Sequence, residues 1–349
     1  MTSHELVELT GGKPVGRGEI VAVATCRNER LRLPAFLRHY RALGVEAFFV
    51  TDNDSSDGSR EYLLEQPDVR VFHTSESYRA AGCGTRWLNR LLSTFGVGRW
   101  CVTADIDELL IYPGSETTTL RQLTAYFDRH GCEALRCLLL DLYPDGPLAR
   151  CTYASDANPI SAAPLFDRGP YSRARVNRCP WVLIRGGMRE RVFYPEFRTR
   201  GAGRRLADAV LESVGHRVPG LRDRPAVRER VRRNPPCLTK APLVKWDERT
   251  EYFPHWISSR RVAPETGALL HFKYFQDFHE RALQEVARGD RCEDLWEYQR
   301  YAEYLRRDPQ LTLADEHASV RFEGTSQLVE LGLIDDSEAW RTDRAARRA

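Results

Sequence analysis

The sequence predicts an α/β fold: a Rossmann-like, mostly parallel sheet flanked by helices, followed by an irregular region and a C-terminal helical tail. Three observations predict it. Short apolar runs rich in β-branched residues alternate with helical spacings from Glu19 onward. The alternation stops near Asp145, where Pro, Gly, Ser and Asn accumulate. Finally, 349 residues with 42% hydrophobic and 29% charged side chains suffice for one large domain or two small ones and exclude disordered and fibrous classes.

The elements follow in order. Residues 20–25 read as a strand, and residues 33–43 as a helix whose Leu33, Phe36, Leu37 and Tyr40 recur at helical spacing before Gly44 closes it. Residues 47–51 form the next strand, the polar turn 52–58 leads into a helix at 59–65, and residues 69–73 read as a third strand. Apolar strands separated by helices indicate a parallel sheet with crossover helices. A helix at 85–95, a strand at 100–104, a helix at 120–130 and a strand at 134–140 continue the rhythm. Residues 143–178 are irregular, and 198–233 form an arginine-dense segment. Order returns at 243–246, at the strand-like GALLHFKYF of 267–275, and in a charged helical stretch at 278–307.

The net charge of +3 is the remainder of 52 basic and 49 acidic residues, so no overall field marks a nucleic-acid binder. Only Lys13, Lys240, Lys245 and Lys273 are lysines. The nine cysteines contain no CxxC pair and read as reduced, largely buried thiols of a cytoplasmic protein. The N-terminus lacks a secretory pattern and no apolar run approaches the ~20 residues of a membrane span.

Ligands of such sheets bind at the carboxyl ends of the strands, so the residues there carry the chemistry. The run CVTADIDELL ends a strand with Asp105 and Asp107. In extended backbone both point to one side, with Ile106 on the other. Two carboxylates at this edge suit a hard divalent cation with positions left open for diphosphate oxygens. In VTDNDSSDGS, Asp52 is placed to bond a ribose or base, whereas Ser55 to Gly58 read as a turn and helix cap. Thr25 and Arg27, in ATCRNE, lie where a nucleotide would rest, and Arg27 offers a fixed charge for phosphate.

The run from Val21 through VTDNDSSDGSREYL, with ADIDELL about fifty residues on, resembles the family 2-like glycosyltransferases of GT-A fold, in the subgroup near family 92. The resemblance is strong from residue 20 to about 145 and weaker at GGMRERVFYP, TKAPLVKW and GALLHFKYF. It implies transfer of a sugar from a nucleotide donor, a UDP-sugar first of all, with Mn²⁺ or Mg²⁺ held at the Asp-x-Asp. Asp105 would then touch ribose or metal, Asp107 the metal, and Thr25, Arg27 and Asp52 the nucleotide. It implies His271 as a further metal ligand and Lys273, two residues later on the same strand face, as the cation beside the departing diphosphate; His255 is a weaker candidate of the same type. Arg86 would meet the diphosphate or base. An inverting transfer needs a carboxylate base, for which Glu190, Asp141 and Asp145 are the candidates, since the Glu-Asp acceptor motif of many family members is absent.

The organisation expected is an extension at 1–18, a nucleotide-sugar-binding half at 19–145, an acceptor-side half at 146–275 with an arginine-rich insertion at 198–233, and a helical tail at 276–349. The acceptor would be a glycan, a lipid-linked or a small molecule. The expected setting is cytoplasmic, with peripheral membrane contact left open and no nucleic-acid partner. Two other classes compete. AAGCGTRWLN imitates the phosphate loop of sugar nucleotidyltransferases but follows the third strand instead of the first. RTRGAGRR and RERVRR could make a basic surface for nucleic acid or membrane, although interspersed acids dilute them and aromatics are lacking after Phe197.

Overall fold

The computed structural model describes residues 6–347, except 11–14, 17, 176–181, 202, 206, 209, 212–223, 254–255, 259–260 and 291–294; His255 and much of the arginine-rich segment lie outside the described residues. In chain order the first strands and helices are β1 (Val7–Glu8), β2 (Val21–Cys26), α1 (Leu33–Ala42), β3 (Ala47–Asp52), α2 (Ser59–Leu64), β4 (Val69–His73), α3 (Thr85–Leu91), β5 (Trp100–Thr103), β6 (Glu108–Ile111), α4 (Leu120–Arg129) and β7 (Ala134–Asp141). The later strands are β8 (Leu165–Asp167), β9 (Tyr171–Arg175), β10 (Val182–Gly186), β11 (Thr239–Lys245), β12 (Tyr252–Phe253), β13 (Trp256–Ile257), β14 (Val262–His271) and β15 (Ser319–Arg321).

Nine strands form one sheet in the order β1-β4-β3-β2-β5-β11-β7-β14-β6. Strands β4, β3, β2 and β5 are mutually parallel, as are β7 and β14, while β11 runs antiparallel between β5 and β7. With helices on its faces this is a Rossmann-like α/β fold. Strand β9 pairs with β10 as a separate hairpin.

The central strands are apolar along most of their length because both faces are covered. Ala22 and Ala24 of β2 and Phe48 and Val50 of β3 pack with Leu33, Phe36, Leu37 and Tyr40 of α1 in one core. The alternating Val21, Val23 and Phe49 pack with Trp87, Leu88 and Leu91 of α3 in another. Each such buried aliphatic or aromatic side chain contributes about 1.5–3 kcal/mol. A third core, including Met188, Phe193, Tyr274, Phe278, Tyr298 and Tyr301, seats the helices Phe278–Arg288 and Leu295–Arg307.

Three readings of local structure change. Glu108 N bonds Asp105 O at 2.9 Å, so the two aspartates stand on a turn and not in extended backbone. Strand β14 begins at Val262 and ends at His271, before Lys273, so strand alternation does not set the direction of that lysine. Cys83 is disulfide-bonded, whereas Cys26, Cys101, Cys132, Cys137, Cys151 and Cys237 are free, so the expectation of reduced thiols fails at Cys83. Among the described residues no helix is long and apolar enough to cross a membrane. In the described part of the arginine-rich segment, Asp208 is buried and ion-paired to Arg200 and Arg230.

Candidate active site

The carboxyl ends of β2, β5 and β14, together with the residue after β3, converge on one cleft of about 1440 Å³, counting its open mouth. Two strands that run antiparallel to their neighbours serve the same edge with their starts. Strand β6 begins at Glu108, and β11 brings in Lys240 one residue after its first.

One wall is acidic. Asp105, Asp107 and Glu108 follow β5 on a single turn, and His271 closes β14 across from them. His271 Nε2 lies 3.3 Å from Asp107 Oδ2, and Nδ1 lies 2.6 Å from Asp141 Oδ1. Arg189 is also within 2.9 Å of Nδ1. A ring nitrogen offers one proton or one lone pair, so the anionic Asp141 takes an Nδ1–H, and Nε2 faces Asp107 and the cleft. Asp141 is itself held by two bonds from Arg189, at 2.7 and 2.8 Å. Lys240 Nζ bridges Glu108 at 2.8 Å and Asp105 at 3.1 Å.

Charge is stabilised mutually in this wall. Burial opposes ionisation of Asp107, yet His271 beside it and the more remote Arg281 and Arg32 hold its carboxyl well below the usual range. Burial also opposes a charged His271, but Asp107 and Asp141 raise the imidazole above its ordinary value. Asp141 is held down to about 2: Arg189 and His271 overcome its burial. Glu108 goes the other way. Its burial, reinforced by Asp105 and Asp107, exceeds the pull of Lys240 and lifts it to about 7.

Ligand atoms of Asp107, Glu108 and His271 lie within 4.8 Å of one another. Ligands held about 2.1 Å from an octahedral ion stand about 3 Å apart, which the Asp107–His271 separation of 3.3 Å approaches. Carboxylates with one imidazole suit Mg²⁺ or Mn²⁺, and the His271 Nδ1–H donated to Asp141 is the outer contact that orients a ligating imidazole. The donor set fits such an ion.

The other wall is basic. Arg27 donates to Asn53 O at 2.6 Å, and Arg288 to Asn53 Oδ1 at 3.2 Å, so one asparagine places both guanidiniums on the cleft. Asn53 is anchored in turn by donation to Thr74 O and Glu76 O. Arg281 is clasped by Glu29, and Lys273 lies over the rings of Tyr298 and Tyr301 with Glu297 at 3.6 Å.

Of the residues singled out from the sequence, Thr25, Arg27, Asp105, Asp107, His271 and Lys273 line this cleft together. The others stand elsewhere. Asp52 is fully buried and accepts from Arg60 Nε at 2.7 Å, while its neighbour Asn53 faces the cleft. Arg86 pairs with Glu76 and borders a separate shallow recess with Asn89 and Glu248. Asp141 stands behind His271, Glu190 is buried near Arg185, Arg198 and Arg205, and Asp145 is largely exposed and paired with Arg321 at 3.1 Å. Sequence reasoning missed Glu108, Lys240, Asn53, Arg189, Arg281, Arg288 and Glu297. Rarity was a usable signal for Lys240, one of four lysines; the missed arginines are hidden in a total of forty-eight of their kind.

No family model matches the chain, and no curated protein matches it by sequence. Among solved structures it is similar to the mannosyltransferase PcManGT from Pyrobaculum calidifontis, solved with GDP-Man and Mn²⁺, at 18% identity and a TM-score of 0.28 over 38% of this chain and 39% of that one. It is also similar to 4-diphosphocytidyl-2C-methyl-D-erythritol synthase, at 14% identity and a TM-score of 0.25 over 48% of this chain and 73% of that one. The chain thus spans well under half the length of the mannosyltransferase. Similarity at this level identifies no activity.

Proposed function

We propose that the protein is a metal-dependent glycosyltransferase that moves a sugar from a nucleoside diphosphate, UDP first among them, to a hydroxyl-bearing acceptor such as a glycan, a lipid-linked or a small molecule. The observation that carries this is the pairing, across one cleft, of the Asp107–His271 ligand pair with the Arg27, Arg288 and Lys273 cations. In this reading residues 19–145 form the donor half. Asp107 and His271, with Glu108 or Asp105, hold Mn²⁺ or Mg²⁺, which when bound neutralises the diphosphate and favours its departure. Arg27 and Arg288 bind phosphate oxygens, and Lys273 meets charge developing on the leaving group. Asp141 is a positioning residue that keeps Nε2 of His271 directed at the cleft. Lys240 holds Asp105 and Glu108 together at the edge of this site.

Asp107→Ala is expected to abolish Mn²⁺-stimulated turnover of the donor with the fold intact by circular dichroism; full activity in that variant would sink the assignment. One observation favours a second reading, nucleotidyl transfer. Gly82, Cys83 and Gly84 all adopt positive φ, and Cys83 and Thr85 of that turn line the cleft, as a phosphate-cradling loop would. The product separates the two: nucleoside diphosphate for sugar transfer, pyrophosphate for nucleotidyl transfer.

A further inference from the structure

Strand β11 starts at Thr239, and successive side chains of a strand point to opposite faces. Thr239 turns its hydroxyl toward β10, where it lies 3.2 Å from Ile184 N, so Lys240 extends on the other side into the cleft. The lysine side chain is 12% exposed, and its ammonium reaches Glu108 Oε1 at 2.8 Å and Asp105 Oδ2 at 3.1 Å. The second oxygen of Glu108 is engaged as well, since Oε2 accepts from Asp105 N at 3.2 Å. Burial disfavours a charged amine, yet Asp105 and Glu108 raise Lys240 well above its ordinary value, so it is an ammonium at neutral pH.

These contacts divide the acidic wall. Asp107, Glu108 and His271 form its triad of potential ligands. Glu108 is the member whose two oxygens are both already bonded, one of them to a cation. Asp105, the alternative third ligand, shares that same ammonium. A divalent ion that engaged either carboxylate would displace the ammonium or stand beside it, and like charges repel strongly where solvent is largely excluded. Mg²⁺ is ordinarily held by one or two carboxylates together with substrate phosphates, not by an all-protein cage. A fixed ammonium on the third carboxylate enforces that division.

We propose that Lys240 is a positioning residue that makes cation binding depend on the nucleotide: by holding Glu108 and Asp105 it lowers the affinity of the acidic wall for a divalent ion alone, so that diphosphate oxygens are needed to complete the ligand set. This deepens the metal-dependent reading given above and rests on it. The dependence is reciprocal, because whatever a diphosphate adds to the affinity for the cation, the cation adds to the affinity for the diphosphate. Diphosphate charge also offsets the ammonium, which therefore opposes the cation less once the nucleotide is bound.

The test is titration of the full chain with Mn²⁺ alone, the free ion being followed by its electron paramagnetic resonance signal, at constant pH and ionic strength. It is repeated at saturating UDP, and on Lys240→Met and Lys240→Gln. Without nucleotide both variants are expected to bind Mn²⁺ at least about tenfold more tightly than the unaltered protein, since a neighbouring like charge is removed; with UDP the difference should narrow. Lys240→Gln keeps a neutral donor beside Glu108 and reports even where Lys240→Met does not fold. A merely structural role for the lysine would not tighten the site. Equal or weaker Mn²⁺ binding in the folded variants, beside binding by the unaltered protein that UDP strengthens, would overturn the role of Lys240 alone. Failure of the unaltered protein to bind Mn²⁺ with or without UDP would overturn the metal-dependent reading and this proposal with it.

Discussion

Asp141 does two things at once: it neutralises the buried Arg189, and it holds Nδ1 of His271. Replacing it by Asn leaves Arg189, among the carboxylates of the described residues, with the more distant Glu297 at 3.5 Å, and a buried charge deprived of its partner costs about 3–5 kcal/mol. Urea unfolding of Asp141→Asn at neutral pH is expected to show a loss of that order. The sign with pH follows from the depressed carboxyl. Its stabilising effect is complete above the unfolded value of ~3.9 and disappears as pH falls toward about 2, a contribution of about 2 kcal/mol. The wild-type profile should therefore steepen over that window relative to Asp141→Asn; parallel profiles would contradict the pairing. At this scale Asp105, Asp107 and His271 were legible because an acidic doublet ending an apolar strand, and a lone histidine in an apolar run, stand out locally. Asn53 and Lys240 were not, since their place depends on register: Asn53 lies one residue beyond β3, and Lys240 reaches the cleft only because β11 enters antiparallel.

The elements that sequence made visible are those buried on both faces, such as β2, β3, β5 and β7, where nearly every residue is apolar. Strand β6 was hidden because it starts directly after the Asp105–Glu108 turn, too close to β5 to be separated by composition. It forms the sheet's edge, and α1 secures it from the side: Tyr40 Oη donates to Glu108 O at 3.0 Å, and His39 Nε2 bonds Leu110 O at 2.8 Å. The acidic turn is thus tied to the first crossover helix. On the other side, β14 meets β6 and β7 closely enough that a Cβ on Gly267 would stand 2.6 Å from Ile111 O and 2.9 Å from Cys137 Sγ. Backbone cannot yield there cheaply, so Gly267→Ala is expected to destabilise by about 1–3 kcal/mol, an overpacking cost, measured as a lower urea midpoint. A neutral substitution would mean that the three strands pack less tightly than described.

Over the whole molecule, a nearly balanced composition conceals two separated charge arrangements. In the cleft, a carboxylate and imidazole wall faces an arginine and lysine wall; beneath the hairpin, Arg136, Arg173 and Arg175 gather around Asp335. Neither is visible in a net charge of +3. The C-terminal helices complete the cleft, since Arg281, Arg288, Glu297 and Tyr298 all line it, and their aromatic core ties them to the segment carrying Arg189. Helical periodicity announced those helices, but long-range contacts that no local pattern encodes decide which residues they present to the cleft. The central claim is that the acidic wall holds a divalent cation which in turn engages a diphosphate. Titration of UDP into the protein with and without Mn²⁺, followed calorimetrically, tests it most directly. Binding at least about tenfold tighter with Mn²⁺, about 1.4 kcal/mol, with the gain abolished in Asp107→Ala, is the result predicted; equal affinity with and without the metal in the unaltered protein would contradict it.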